Sequence, residues 1–215
     1  GANGLADERH FMAPVASYED RPEETEIVVK QGGRFWRTVA PNSPFDVVAW
    51  RGNYAPYKYN LRDFLSFGSV SYDHPDPSIL TVLTSPMDTH GRNAIDVAVF
   101  LGRWDATEQT FRPPYFHRNS AIEFNAVISA PPTTGPYPAG AFSYTPYLSP
   151  HGVSNHAVDR AMAAPEAPAR GSDESIWIQF ESTYPFRVMP WMLEHPARDD
   201  TYLESFTGYP VGTLP

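Results

Sequence analysis

"FRPPYFHRNSAIEF", Phe111–Phe124, is the stretch on which the reading of this chain turns. Two of its polar residues, His117 and Glu123, stand six positions apart among apolar neighbours. Neighbours on a helix recur three or four positions apart, so this is not a helical pair. In a strand, side chains alternate between faces, and an even separation returns to the same face. Residues 117, 119, 121 and 123 then point one way, and Phe116, Arg118, Ser120, Ile122 and Phe124 the other. Ala121 is small and leaves room for a metal ion between imidazole and carboxylate. Further on, "YLSPHG" supplies a second imidazole, His151. Two imidazoles and one carboxylate are the facial set that holds Fe(II), with positions left open for an organic substrate and O2. The competing reading is a solvent-facing histidine and glutamate on an ordinary strand. The bare spacing does not separate the two.

The surrounding segments read as strands and turns. "TEIVVKQGGRFWRTVA" (25–40) is two strands around a Gly-Gly turn. "FDVVAW" (45–50), "SVSYDH" (69–74), "SILTVLTSP" (78–86), "IDVAVF" (95–100) and "IWIQFES" (176–182) read as strands, as does 119–129 around Glu123. "NYAPYKYNLRDF" (53–64) reads as a loop running into a short helix. "PPTTGPYPAGAFSYTPYLSPHG" (131–152) reads as a Pro/Gly-rich loop that delivers His151. "AMAAPEAPARGSDES" (161–175) reads as a low-complexity surface loop. Strand follows strand at short intervals, which favours antiparallel connections. The fold expected is all-β, a cupin-type jelly-roll β-sandwich with long Pro/Gly-rich loops and an irregular N-terminal extension. Residues 1–44 are expected to form that extension and its linking strands, and 45–215 the iron-binding catalytic domain.

Composition narrows the chemistry. A chain of 215 residues suits one domain with an extension. The net charge is −9 and no lysine or arginine run stands out, which argues against nucleic acid and against an anionic membrane surface. There are no cysteines, so disulfides and thiolate sites are excluded and any metal must sit on His nitrogen and carboxylate oxygen. No segment resembles a signal peptide and no apolar run is long enough to span a bilayer. The expectation is a soluble, cytoplasmic protein.

Longer motifs add a resemblance. "GANGLADERHF", "YEDR", "SPFDVVAWRGNYAPYKYNLRDF", "SYDHPDPSILTVLTSP", "TFRPPYFHRNSAIEF", "LSPHG" and "FES" follow one another as they do in the homogentisate 1,2-dioxygenase family, which the chain resembles along most of its length. The resemblance implies that His117, Glu123 and His151 are Fe(II) ligands. It makes His74 the histidine that handles the substrate proton without binding metal. Asp73, beside it, is suited to orient that ring. Tyr115 and Tyr137, with His151, are candidates to touch the substrate, although Tyr115 would serve equally well as core packing. In the family "GANGLA" lies in the middle of a chain about twice this size, so this chain corresponds to the C-terminal half. A homo-oligomer, or a complex with a polypeptide matching the other half, is therefore expected, with a small aromatic substrate and O2.

Two departures set the chain apart. The family carries a histidine six residues before the last ligand, where this chain has Thr145. The family also carries a tyrosine soon after the glutamate, where this chain reads "EFNAVISAPP". The iron shell is kept while the shell that grips the substrate is changed. An aromatic-ring dioxygenase acting on homogentisate or a related hydroquinone or catechol is the leading expectation. A cupin isomerase or hydrolase using zinc or manganese is a second, and a non-catalytic subunit of a split dioxygenase a third.

Overall fold

A computed structural model of the chain describes residues 8–13, 22–44, 56–63, 80–102, 104–105, 116–132, 137–165 and 167–207. The strands expected at 45–50 and 69–74 lie outside the described residues. By contacts the chain divides into two compact units. One comprises Asp7–Asn60 and Phe186–Arg198, the other Gly1–Ala6, Leu61–Pro185 and Asp199–Pro215.

The first unit carries a hairpin of β1 (Thr25–Gln31) and β2 (Arg34–Ala40). Gly32 and Gly33 close it with φ of 60° and 76°. Two successive positive φ values define the turn type whose twist matches paired strands, and glycine adopts them without strain. A short helix, α2 (Pro190–Leu193), lies near the other end of this unit's sequence.

The second unit holds the main sheet. Its strands are β3 (Leu80–Thr84), β4 (Asp96–Leu101), β6 (Ile122–Ser129), β7 (Phe142–Thr145) and β9 (Ile176–Ser182). They lie in the order β3-β4-β9-β6-β7, all antiparallel. A two-residue ribbon pairs β5 (Trp104–Asp105) with β8 (Ala169–Arg170). In β4 the consecutive residues Val97, Ala98 and Val99 are all buried. Consecutive side chains alternate faces, so both faces of this strand are covered, as in a sandwich. Val99 and Ile122 are fully enclosed, each contributing about 1.5–3 kcal/mol by burial.

Three local expectations differ from the structure. The strand around Glu123 begins at Ile122, because the Asn119 side chain accepts a hydrogen bond from the Ala121 N–H and turns the chain there. The region 131–152 is not loop throughout, since Phe142–Thr145 forms β7 on the sheet edge. Helix α1 (Asn155–Ala163) runs into the stretch read as surface loop. Ser154 caps it by accepting from the Ala157 N–H.

Candidate metal centre

The site is built on the β6–β7 ladder. Glu123 is the second residue of β6 and lies opposite Thr145, while Phe124 lies opposite Tyr144. The ladder then opens, as Asn119 turns one chain and the other passes through Pro146–Pro150. It closes once more in the same register at a single bridge, His117 opposite His151. Each of the two histidines donates its backbone N–H to the other's carbonyl at 2.8 Å. That is the doubly bonded pair of an antiparallel ladder, and it fixes both Cα atoms. The imidazole centroids stand 4.3 Å apart. One ligand atom from each of His117, Glu123 and His151 falls within 4.8 Å of the others.

Gly152 makes the bridge possible. A Cβ there would lie 2.8 Å from Phe116 Cδ2 and 3.1 Å from Phe116 Cα. The glycine after the second histidine thus lets the two backbones approach beside His117.

The donor set and its geometry fit a metal. The Nδ1 of His151 lies 2.9 Å from the carbonyl of Ser149. A carbonyl only accepts, so Nδ1 carries a proton, and in the neutral, metal-binding form of the ring Nε2 presents a lone pair. That lone pair faces the Glu123 carboxylate, Nε2 to Oε1, at 3.1 Å. Two acceptors so close call for a cation or a proton between them. Cis ligands about 2.1 Å from a six-coordinate ion stand about 3 Å apart, matching this pair. Glu123 is only 6% exposed, and the Asn119 amide donates to the same Oε1. A buried carboxylate without partners is costly, and here its partners are that amide and whatever sits against His151.

Other groups on this sheet face set the electrostatics. Asp96, Glu181, Glu123 and Thr145 form one row across β4, β9, β6 and β7. Burial pushes the Glu181 carboxyl above the usual glutamate range, and the charges of Glu123 and Asp96 push it further, while His117 and His151 pull it back. Gln179 donates its amide to Glu181 at 2.7 Å. Two residues further along, Ser143 lies opposite Asn125. The Tyr202 phenol interacts with both Ser143 and Tyr137, and burial raises it to about 12. Burial also raises Tyr137, whose ring meets Trp177 edge-on at 5.7 Å.

The structure brings together His117, Glu123 and His151. Tyr137 contacts Trp177 and Tyr202. His74, Asp73 and Tyr115 lie outside the described residues. Thr145, which replaces an expected histidine, is the cross-strand partner of Glu123. Sequence reasoning missed Asn119, Ser149 and Gly152, which hold the three groups in place. The glycine directly after His151 was the one signal available, since it marks a close backbone approach.

An antiparallel β-fold on which two histidines and a glutamate converge is of the cupin type, and its site is one that can hold a metal ion. Residues 62–211 match the family model described as "Homogentisate 1,2-dioxygenase C-terminal", and residues 1–61 match "Homogentisate 1,2-dioxygenase N-terminal". The chain is 44% identical over 211 residues to a homogentisate 1,2-dioxygenase of Rhodopseudomonas palustris (strain HaA2). It is 43% identical over 210 residues to that of Nitrobacter hamburgensis. Each alignment covers 97% of this chain and 47% of the relative. The chain belongs to the homogentisate 1,2-dioxygenase family. It spans about half the length of the curated relatives it matches.

Proposed function

We propose that the chain is the iron-binding half of a non-haem Fe(II) dioxygenase that opens the ring of homogentisate or a related hydroquinone or catechol. The observation that carries this reading is the convergence of His117, Glu123 and His151, with the His151 tautomer set by Ser149. Fe(II) bound by these three groups would supply open positions for a ring oxygen and for O2, and the electrons that pass between them.

The chain's own residues do the rest. The bridge between His117 and His151 holds two donors in place before any ligand arrives, which lowers the ordering cost of binding. Asn119 holds the Glu123 carboxylate toward His151. His74 takes the ring hydroxyl proton and returns it, a task suited to an imidazole near neutral pH, with Asp73 orienting it. Tyr115, Tyr137 and His151 face the substrate in this reading. The protein works in the cytoplasm as a homo-oligomer or with a polypeptide matching the other half of its relatives. No helix among the described residues is long and apolar enough to cross a membrane.

The test is reconstitution of the purified chain with Fe(II), Zn(II) or Mn(II), followed by metal analysis and oxygen uptake with homogentisate, gentisate and substituted hydroquinones. One equivalent of iron and iron-dependent uptake are expected. Activity with zinc alone would make the protein a different kind of cupin enzyme. Bound iron without uptake of O2 on any ring would point to a non-catalytic subunit.

A further inference from the structure

The sheet face that carries Glu123 continues past the metal centre into a second, less polar place. Strand alternation and register put its side chains in three rows. The first holds Asp96, Glu181 and Glu123; the second Ala98, Gln179 and Asn125; the third Phe100, Trp177 and Val127. Each row lies about 7 Å beyond the last, so the third is about 13 Å from the first. At that end a cavity of about 390 Å³ opens, lined by Phe100, Leu101, Trp177, Asn125, Ser172 and Ser175 among others. A volume of this order is ordinary for a small-molecule pocket.

Its wall is fixed. A Cβ on Gly102 would stand 2.4 Å from the Ser172 carbonyl and 2.6 Å from Asp173 Cα, so only glycine lets the 171–175 loop lie this close to the end of β4. Arg62 donates to the Asp173 carbonyl at 2.6 Å, and the Ser129 hydroxyl donates to the Glu174 carbonyl. None of the described residues lining the cavity is charged. The carboxylates of Asp96 and Glu181 stand at the opposite end of this face, in the row of Glu123, and the uncharged row of Ala98, Gln179 and Asn125 lies between them and the cavity. Among the described lining residues an apolar group finds Phe100, Leu101 and the indole of Trp177.

We propose that the ring bound at the metal centre carries an uncharged apolar substituent, which runs along this sheet face past Asn125 into the Phe100–Trp177 cavity. The inference rests on the dioxygenase reading and narrows its substrate class to alkyl- or aryl-substituted hydroquinones and catechols. A ring and a chain of about five carbons, with bonds of about 1.5 Å, span the distance between the rows.

The experiment compares 2-methylhydroquinone, 2-pentylhydroquinone and homogentisate as substrates of the iron-reconstituted protein by oxygen uptake. It also compares phenol and 4-pentylphenol as ligands by calorimetry. Each further methylene buried in the cavity is worth roughly fourfold, so the pentyl compound should exceed the methyl one in kcat/KM by at least about tenfold. Pentylphenol should bind at least about tenfold tighter than phenol. In Trp177→Ala, and in the milder Phe100→Leu, both ratios should fall to within about threefold of unity. Equal kcat/KM for the methyl and pentyl compounds, or a preference for homogentisate over both, overturns the proposal. If no ring is turned over, the dioxygenase reading fails, and the binding ratio alone decides the cavity: equal affinity for phenol and pentylphenol overturns it too.

Discussion

Gly152→Ala tests whether the backbone bridge sets metal affinity. No positive φ is involved at Gly152, so the effect is steric. The new Cβ would meet Phe116 Cδ2 at 2.8 Å and Phe116 Cα at 3.1 Å, against about 3.5–4.0 Å for relaxed carbon contacts. The ring can swing away, but the Cα can yield only by moving the backbone by about 0.5 Å. Phe116 is the residue before His117, so the shift passes into the bridge whose two hydrogen bonds are now 2.8 Å. A metal site tolerates ligand displacements of only about 0.2 Å. Crowding of this kind costs about 1–3 kcal/mol of stability, and misplaced supporting groups typically weaken a metal about 10–100-fold. Gly91→Ala is the control. Its φ is 74° and a Cβ there meets nothing within 4 Å, so it should lose about 1–2 kcal/mol through backbone strain and leave the metal alone. Iron affinity measured by chelator competition, beside the thermal midpoint of the metal-free protein, separates the two. If Gly152→Ala holds iron as tightly as the parent, the bridge does not position the ligands and the reasoning is wrong.

Other perturbations should give distinct signatures. His117→Ala and His151→Ala should abolish stoichiometric iron by metal analysis, while Glu123→Gln, which keeps one oxygen, should weaken it more modestly. His74→Phe should keep iron and lose turnover by about 10²–10⁴-fold in oxygen uptake; loss of iron instead would make it a ligand or a structural residue. Burial raises the Tyr202 phenol to about 12, so the folded state favours the protonated form. Its contribution to stability is complete below the ordinary value of about 10 and is lost as pH rises toward 12. Tyr202→Phe should remove that alkaline component from a pH series of thermal midpoints. Light scattering should show an assembly larger than one chain, and a monodisperse, active monomer would defeat the expectation of a partner.

Much of this was legible in the sequence because the chemistry-bearing residues are scarce. Seven histidines and no cysteine leave few ways to build a metal site. The even spacing of His117 and Glu123 reads as one continuous strand, whereas the strand begins at Ile122 and the two side chains come together across the opened ladder. Strands β1, β2, β3, β4 and β9 were legible for a different reason, namely runs of β-branched and aromatic residues bounded by turns. Strand β7 was not, because its four residues sit among prolines and glycines. Its one local sign was the alternation of Phe142 and Tyr144 with Ser143 and Thr145. Helix α1 was hidden by its short length and by the proline-rich stretch that follows it. The pairing of His117 with His151 could not be seen at all. Register between segments this far apart in sequence is set by tertiary packing, and no local pattern encodes it.

That pairing explains how one ladder serves both the fold and the site. The β6–β7 register that places Thr145 opposite Glu123 is the register that returns at His117 and His151. Between the two, the chain leaves the ladder, and the gap is where the three ligand atoms gather. The backbone therefore fixes the ligands whether or not a cation is present. What the backbone leaves open is the contact of His151 Nε2 with Glu123 Oε1, 3.1 Å apart in a buried place, where a proton or a cation must stand between two acceptors. A cation there relieves the contact and adds its binding energy to the folded state only. At a hundred times its dissociation constant that is worth about 2.7 kcal/mol. Glu123→Ala would relieve the same contact and leave the ladder's backbone bonds in place, so it should lose metal without losing its fold. The two histidines bear on both, because their backbones are part of the sheet and their rings are part of the site.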